Sequence, residues 1–353
     1  MNLRLKKACA KLKKENLDGL LISLAANISY LTESISRDSY LLISAKGNAY
    51  FTDSRYTEEA RGFLKKNARL VQSNGSVFKC IAEVCLKMGL NRVGFEERYL
   101  PFAEFSRIQQ FSKDKFSLVP THSLIEDLRE VKDASEIAKI RKAVEITQAT
   151  VRHMRKFLAV GLKEVEVVGE IERFIRFSGA RACAFDIIVA SGPNSSKPHH
   201  LSGSRRIRDN EPVLIDMGVE YQGYKSDLTR VFFLGKIKVL VHKVYAVVLK
   251  AQEKAIKMIR PGVMMAEIDK AAREYIAKQG FAGKFEHNLG HGFGLEVHEG
   301  PHVSGNEASL AKPGMVFTIE PGIYLQGEFG IRIEDMILVT RQGCEVLSGA
   351  INK

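Results

Sequence analysis

The 353-residue sequence is short of the features that mark several protein classes. No apolar run approaches the roughly 20 residues that a membrane-spanning helix needs, so no membrane association is expected. The opening stretch MNLRLKKACAKLKKENLDG is basic but lacks the apolar centre of a secretory signal, and a cytoplasmic location is expected. Cysteine is scarce: Cys9, Cys80, Cys85, Cys183 and Cys344 are odd in number, scattered and without metal-site spacing, which favours free thiols over a disulfide framework. Zinc-finger spacing is missing, as are aromatic-rich basic motifs of the kind that stack bases. The formal charge of +12 therefore reads as solvated helix faces, one of them a basic amphipathic helix in the first sixteen residues, and nucleic acid is not an expected partner.

What is present is an ordinary globular composition, 45% hydrophobic and 27% charged, in a chain long enough for two domains with separate cores. Between residues 17 and 127 the runs LDGLLIS, SYLLISA, AYFTD, RVGFEE and FSLVPT read as strands, separated by helical patterns such as RYTEEARGFLKK and VFKCIAEVCLKMG. Lys46-Gly47-Asn48 suits a hairpin turn between two of them. This is an α/β domain without a catalytic cluster. A long helix then follows Asp133, whose pairing with Glu136 suits a capping box; Ile137, Ile140, Val144, Val151, Met154 and Leu158 share one of its faces. The expected domains are residues 1–128 and 129–353.

The second domain carries an internal echo. KFLAVGLKEVEVVGEIERFIRFSGA (156–180) and KMIRPGVMMAEIDKAAREYIAKQGF (257–281) align at a constant offset of 101, matching Gly161 with Gly262, Glu166 with Glu267 and Gly179 with Gly280. Two αβ halves with pseudo-two-fold symmetry are expected, with any ligand site drawing on both.

Acidic residues stand out in strands that are otherwise core-like. VLIDMGVEYQGYKSDLTRVFFLG (213–235) reads as two strands around a turn at Gln222-Gly223. A two-residue loop pairs Asp216 with Thr229 and puts Asp227 on the same face; a three-residue loop breaks that parity unless a bulge restores it. Two carboxylates on one face of an apolar hairpin repel one another and are costly to desolvate, so they require a cation. GMVFTIEPG places Glu320 at a strand end, and GIRIEDMILV puts Arg332 and Glu334 on one face of an apolar strand. NLGHGFGLEVHEGP holds His291 and His298 within a glycine-rich loop. Singly, each of these is more often structural; together they point to a metal site. Four carboxylates match the charge of two divalent cations, and oxygen-rich ligation with a single imidazole favours Mn²⁺, with Co²⁺, Fe²⁺ or Zn²⁺ also compatible.

In this order, IDMG, SDLTR, GHGFGLEVHE, TIEPGIY and GIRIED resemble the motif set of the pita-bread metallopeptidases, the family of Xaa-Pro aminopeptidases, prolidases and methionine aminopeptidases. The match covers residue 129 to the end. Upstream, NISYLTES and YFTDSRYTEEA resemble the creatinase-like N-terminal domain of the Xaa-Pro branch. The resemblance implies an α/β N-terminal domain followed by a pita-bread catalytic domain. It implies that Asp216, Asp227, His291, Glu320 and Glu334 bind two metal ions: Asp227 and Glu334 bridge the pair, Asp216 holds one ion, and His291 with Glu320 holds the other. Glycines beside His291 would let the backbone approach the ions. His298 would donate to the substrate carbonyl, His199 rather than His200 would touch the substrate near the scissile bond, and Glu320 would shuttle a proton. His287 reads as supporting or structural.

For substrates, the resemblance implies peptides with proline second and a homodimeric enzyme. Phe185 and Tyr324 are candidate pocket walls, and Arg332 is expected to position Glu334 or another acidic neighbour. In several prolidases an arginine four residues after the second loop histidine clamps the dipeptide's carboxylate. Here that position is His302, which lacks the guanidinium fork, so Xaa-Pro aminopeptidase is the leading reading and Xaa-Pro dipeptidase its alternative. A methionine-type aminopeptidase and a non-catalytic binding module stay open as remoter readings.

Overall fold

The computed structural model describes residues 2–65, 67–351 and 353. The chain divides into two compact units, Met1–Arg129 and Glu130–Lys353.

The first unit has helices α1 (Leu3–Lys14), α2 (Ala25–Thr32), α3 (Thr57–Leu64), α4 (Val77–Lys87), α5 (Phe102–Ser112) and α6 (Glu126–Arg129). Its strands β1 (Gly19–Ile22), β2 (Tyr40–Ser44), β3 (Ala49–Thr52), β4 (Arg69–Gln72), β5 (Arg92–Glu96) and β6 (Ser117–Thr121) form one mixed sheet in the order β4-β3-β2-β1-β5-β6. β1, β2 and β3 pair antiparallel, the last two through the hairpin that contains Gly47, and the outer strands add in parallel. Three elements escape the sequence pattern. β4 is a half-exposed edge strand, α5 buries only Ile108 and Ser112, and α2 buries five of its eight residues, so none shows a clean apolar period.

The second unit opens with α7 (Ala134–Phe157), whose Asp133 and Glu136 form the expected capping box. Then come α8 (Glu164–Phe177), β7 (Ala182–Cys183), β8 (Ile188–Ser191), β9 (Glu211–Met217), β10 (Val219–Tyr221), β11 (Tyr224–Lys225) and β12 (Leu228–Leu234). The second half follows with α9 (Val239–Met258), α10 (Met265–Ile276), β13 (Gly290–Gly292), β14 (Glu299–Val303), β15 (Val316–Ile319), β16 (Gly322–Leu325), β17 (Phe329–Arg332), β18 (Asp335–Val339) and β19 (Cys344–Val346).

The sequence echo is reproduced in the backbone. Gly161 N–H donates to Ile207 O, and Gly262 N–H to Ala311 O; the return bonds run from Ile207 N–H to Leu162 O and from Ala311 N–H to Val263 O. Both glycines adopt positive φ, 94° and 86°, a conformation that L side chains rarely tolerate. Each half has its own core. Ile140, Val144, Ile171, Val189 and Ile215 are buried in the first, and Val244, Val248, Ile268, Phe317 and Ile337 in the second.

Two strand arrangements fix where the acidic side chains point. The turn at Gln222 and Gly223 has positive φ at both residues, 50° and 84°, as a two-residue hairpin of right-handed twist requires. Its register runs from Tyr221 opposite Tyr224 through to Asp216 opposite Thr229, without a bulge. The segment GIRIEDMILV differs from expectation: it is not one strand. β17 pairs with β16 and ends at Arg332, β18 pairs with β15 and begins at Asp335, and Ile333-Glu334 form the step between two sheets.

β13 lies between β14 and β15. A Cβ added at Gly290 would sit 1.9 Å from the Thr318 carbonyl oxygen, and one at Gly292 would sit 2.1 Å from that of Gly300. Glycine is therefore demanded here by the closeness of neighbouring backbone, which corrects the expectation that these glycines serve approach to the ions. Gly292→Ala is expected to lower stability in urea unfolding by about 1–3 kcal/mol or more. Gly169→Ala, in α8 with nothing within 4 Å of the added carbon, should raise it by about 0.5–1 kcal/mol. An unchanged midpoint for Gly292→Ala would contradict this packing.

Candidate metal centre

Within the second unit, a cavity of about 810 Å³ is lined by Asp216, Asp227, His291, Glu320 and Glu334, together with His199, His298, His302, Arg332 and Phe185. The five candidate ligands come from five separate places. Asp216 is near the end of β9, Asp227 just precedes β12, His291 is the middle of β13, Glu320 follows β15, and Glu334 occupies the step between β17 and β18. Both halves contribute.

The donor atoms converge. His291 Nε2 lies 3.3 Å from Glu320 Oε1 and 3.6 Å from Asp227 Oδ2. Asp227, His291 and Glu334 each offer a donor atom within 4.8 Å of the other two. His291 Nδ1 is 3.1 Å from the Gly292 carbonyl, which can only accept, so Nδ1 carries the hydrogen and Nε2 turns a lone pair toward the carboxylates. Asp216 Oδ1 is buried with no hydrogen-bond partner among the described residues.

The electrostatics carry the same message. Burial, reinforced by the charges of Glu334 and Asp216, pushes the Asp227 carboxyl well above its ordinary range. Burial and then the charge of Glu320 do the same to Glu334. Glu320 is pushed up to about 7 by burial and by Asp216, against the opposing pull of Arg332. His291 is lowered to about 4 by burial and by His298, so it is neutral at pH 7. Acceptor lone pairs thus face one another in a buried space. A hard or borderline divalent cation fits that donor set.

A layer of hydrogen bonds holds these groups in place. Thr229 Oγ1 donates to Glu334 at 2.8 Å, and Thr318 Oγ1 donates to Glu320 at 3.0 Å. Arg332 reaches Asp216 Oδ2 at 2.7 Å, Thr229 Oγ1 at 3.0 Å and the Tyr324 hydroxyl at 2.9 Å. Asp216 is therefore the acidic neighbour that Arg332 positions, and Thr229 links it to Glu334. Tyr324 is not among the lining residues of the cavity. Its hydroxyl is engaged by Arg332 and by His287 Nε2 at 3.0 Å, so the expectation of a pocket wall is corrected to that of a support behind Arg332. Phe185 does line the cavity.

The histidines separate by environment. His200 Nε2 lies 2.8 Å from Glu164 Oε2, in a cluster where Glu164 also accepts from Ser191 and Asn194. His199 has no hydrogen bond among the described residues and is exposed at the cavity. The His298 ring centroid is 4.1 Å from that of His291, and burial followed by the charge of His199 lowers its pKa. His302 stands opposite His291 across the β13–β14 pair.

Sequence reasoning missed Thr229, Thr318 and the Glu164 cluster. The threonines had a readable signal: each lies two residues from a strand carboxylate, Thr229 after Asp227 and Thr318 before Glu320, and so shares its face. Glu164 looked like an ordinary residue of the first turn of a helix.

Comparison with known proteins places these features. Residues 138–341 match the model of metallopeptidase family M24, and residues 4–131 that of the creatinase/prolidase N-terminal domain. A Xaa-Pro dipeptidase of Pyrococcus horikoshii is 34% identical over 349 residues, 99% of this chain and 97% of that protein. Among solved structures, a Xaa-Pro dipeptidase from Bacillus anthracis superposes with a TM-score of 0.96 at 33% identity, covering 99% of this chain and 98% of the other. An X-Pro aminopeptidase from Thermotoga maritima gives 0.88 at 34% identity, covering 96% and 97%. The chain belongs to metallopeptidase family M24, with a creatinase/prolidase N-terminal domain ahead of its pita-bread domain.

Proposed function

We propose that this enzyme hydrolyses the bond between an N-terminal residue and a following proline, with Xaa-Pro dipeptides as its main substrates. The observation that carries the reading is the convergence of His291 and four carboxylates at one cavity, beside histidines that could meet a peptide. The names of relatives spanning nearly the whole chain move the dipeptidase reading ahead of the aminopeptidase that the sequence favoured. Residues 1–128 are assigned as the creatinase-like domain and 129–353 as the catalytic one.

Asp216, Asp227, His291, Glu320 and Glu334 would together hold the two ions. Two divalent ions, for which Mn²⁺ best suits the oxygen-rich donors, would lower the pKa of water and polarise the scissile carbonyl. Glu320 takes a proton from the attacking water and delivers it to the proline nitrogen as the bond breaks. His298, kept neutral, donates an N–H to the oxygen on which negative charge develops. His199 meets the substrate from the exposed side. Proline supplies no N–H at the scissile bond, so recognition depends on ring shape, to which Phe185 contributes.

An aminopeptidase acting on longer peptides is the second reading, and His302 favours it. Arg332 is the one guanidinium among the described lining residues, and its three nitrogens are engaged by Thr229, Tyr324 and Asp216. A dipeptide carboxylate would then meet imidazoles instead of a free fork.

Metal-stripped protein should cleave Xaa-Pro dipeptides only after Mn²⁺ is restored, and at least about 10-fold faster in kcat/KM than matching Xaa-Pro-Yaa tripeptides, a gap of about 1.4 kcal/mol. Tripeptides cleaved in preference would reverse the order of the two readings, and no metal-dependent cleavage of either would contradict both.

The carboxylate pKa has a separate consequence. Because the folded-state value of Glu320 is raised, the native protein binds more protons than the unfolded chain from about 4.5 to about 7, and this group's contribution to stability is lost as pH rises through that window. His291, lowered from 6.5 to about 4, acts in the opposite sense, so the comparison is made with a variant at Glu320. In metal-free protein, Glu320→Gln should gain on wild type as pH rises from 4.5 to beyond 7, by an amount on the order of 3 kcal/mol. Parallel stability curves for the two would contradict it.

A further inference from the structure

We propose that Gln252 is a positioning residue that sets the spacing of two metal-binding carboxylates, Glu320 and Glu334; the inference rests on the metal-centre reading above. Gln252 lies on α9 with its side chain fully buried. Its Nε2 donates to two carbonyl oxygens, that of Ile319 at 2.9 Å and that of Ile333 at 3.0 Å. These residues immediately precede Glu320 and Glu334. Ile319 ends β15, and Ile333 belongs to the step between β17 and β18. One planar group therefore spans the two backbone segments from which the carboxylates project.

The orientation of the amide is forced. Both carbonyls can only accept, and Lys353 Nζ, which can only donate, lies 2.6 Å from Gln252 Oε1. Lys353 is in turn 2.5 Å from Asp335 Oδ2. Rotating the carboxamide would lose both carbonyl bonds and set its N–H groups against an ammonium. Separate bonds tie each segment elsewhere: Glu320 N–H to Leu289 O, and the Arg230 guanidinium to Glu334 O. The backbone also joins the two segments directly, through the Ile319–Asp335 pair and from Ile333 N–H to Pro321 O; Gln252 adds a side-chain bridge at the two residues just before the carboxylates. The first half has a related grip, in which Thr147 on α7 bonds the hydroxyl of Ser226, the residue before Asp227, at 2.7 Å. The long helix of each half thus holds a residue that precedes a candidate ligand.

A purely structural amide would support folding without affecting the ions. Gln148 on α7 is the matching control: it is buried and donates to Leu347 O at 3.1 Å, where no candidate ligand is adjacent in sequence. The experiment titrates metal-stripped wild type, Gln252→Met and Gln148→Met with Mn²⁺ against a competing chelator, alongside urea unfolding and steady-state kinetics on a Xaa-Pro dipeptide. Both variants are expected to lose stability. Gln252→Met alone should bind Mn²⁺ about 10-fold or more weakly and lose a similar factor in kcat, because partners that orient ligands typically carry effects of about 10–100-fold. Lys353→Met leaves both carbonyl bonds in place but releases the amide oxygen and removes the ammonium from Asp335; it should weaken Mn²⁺ about 3-fold, on the order of half a tenfold step in free energy. A folded Gln252→Met that binds Mn²⁺ as wild type does would overturn the proposal. If that variant does not fold, wild-type affinity in Lys353→Met would overturn it. Wild type that binds no Mn²⁺ would instead overturn the metal-centre reading itself.

Discussion

Mutual repulsion among buried carboxylates is the constraint on which the catalytic unit depends. Asp227, Glu320 and Glu334 are all driven toward their protonated forms by burial and by neighbouring carboxylates, Asp216 acting on all three, and neutral His291 turns a lone pair into the same space. In an ordinary core such a cluster would be replaced by apolar side chains, since desolvated charges without counterions oppose folding. Here strands from both halves hold it together. The arrangement makes physical sense with divalent cations in its midst.

The duplication explains how those strands reach a common point. Each half packs a pair of helices on a sheet around its own apolar core, and each repeats the same glycine-anchored connection into the second helix. The carboxylates lie near strand ends or between strands, where the backbone is free to leave one sheet for another. Neutral hydroxyls and a guanidinium then aim them: Thr229 serves Glu334, Thr318 serves Glu320, and Arg332 serves Asp216. Thr229 belongs to the first half and Glu334 to the second, so this hydroxyl joins the halves at the centre, as Arg332 does through Asp216.

Much of this was legible in the residues. The Asp216–Thr229 register followed from counting across the Gln222-Gly223 turn, and the capping box at Asp133 followed from spacing alone. The offset of 101 between the halves survived as matched hydrogen bonds. What could not be read depended on contacts distant in sequence. The break at Ile333-Glu334 was hidden because both flanking segments are apolar and their partners, β16 and β15, lie elsewhere in the chain. Tyr324 looked like a pocket wall because an aromatic beside a motif carries no sign of its direction; its hydroxyl turned out to serve Arg332. The glycines beside His291 were assigned to the ions, whereas neighbouring strand carbonyls require them.

The central claim is that this cluster holds a pair of divalent ions. Anomalous diffraction at the manganese edge, from crystals of the protein equilibrated with Mn²⁺, tests it most directly. The account predicts two peaks about 3.5–4 Å apart, flanked by Asp227 and Glu334, with Asp216 at one and His291 and Glu320 at the other. A single peak, or peaks away from these five side chains, would contradict it.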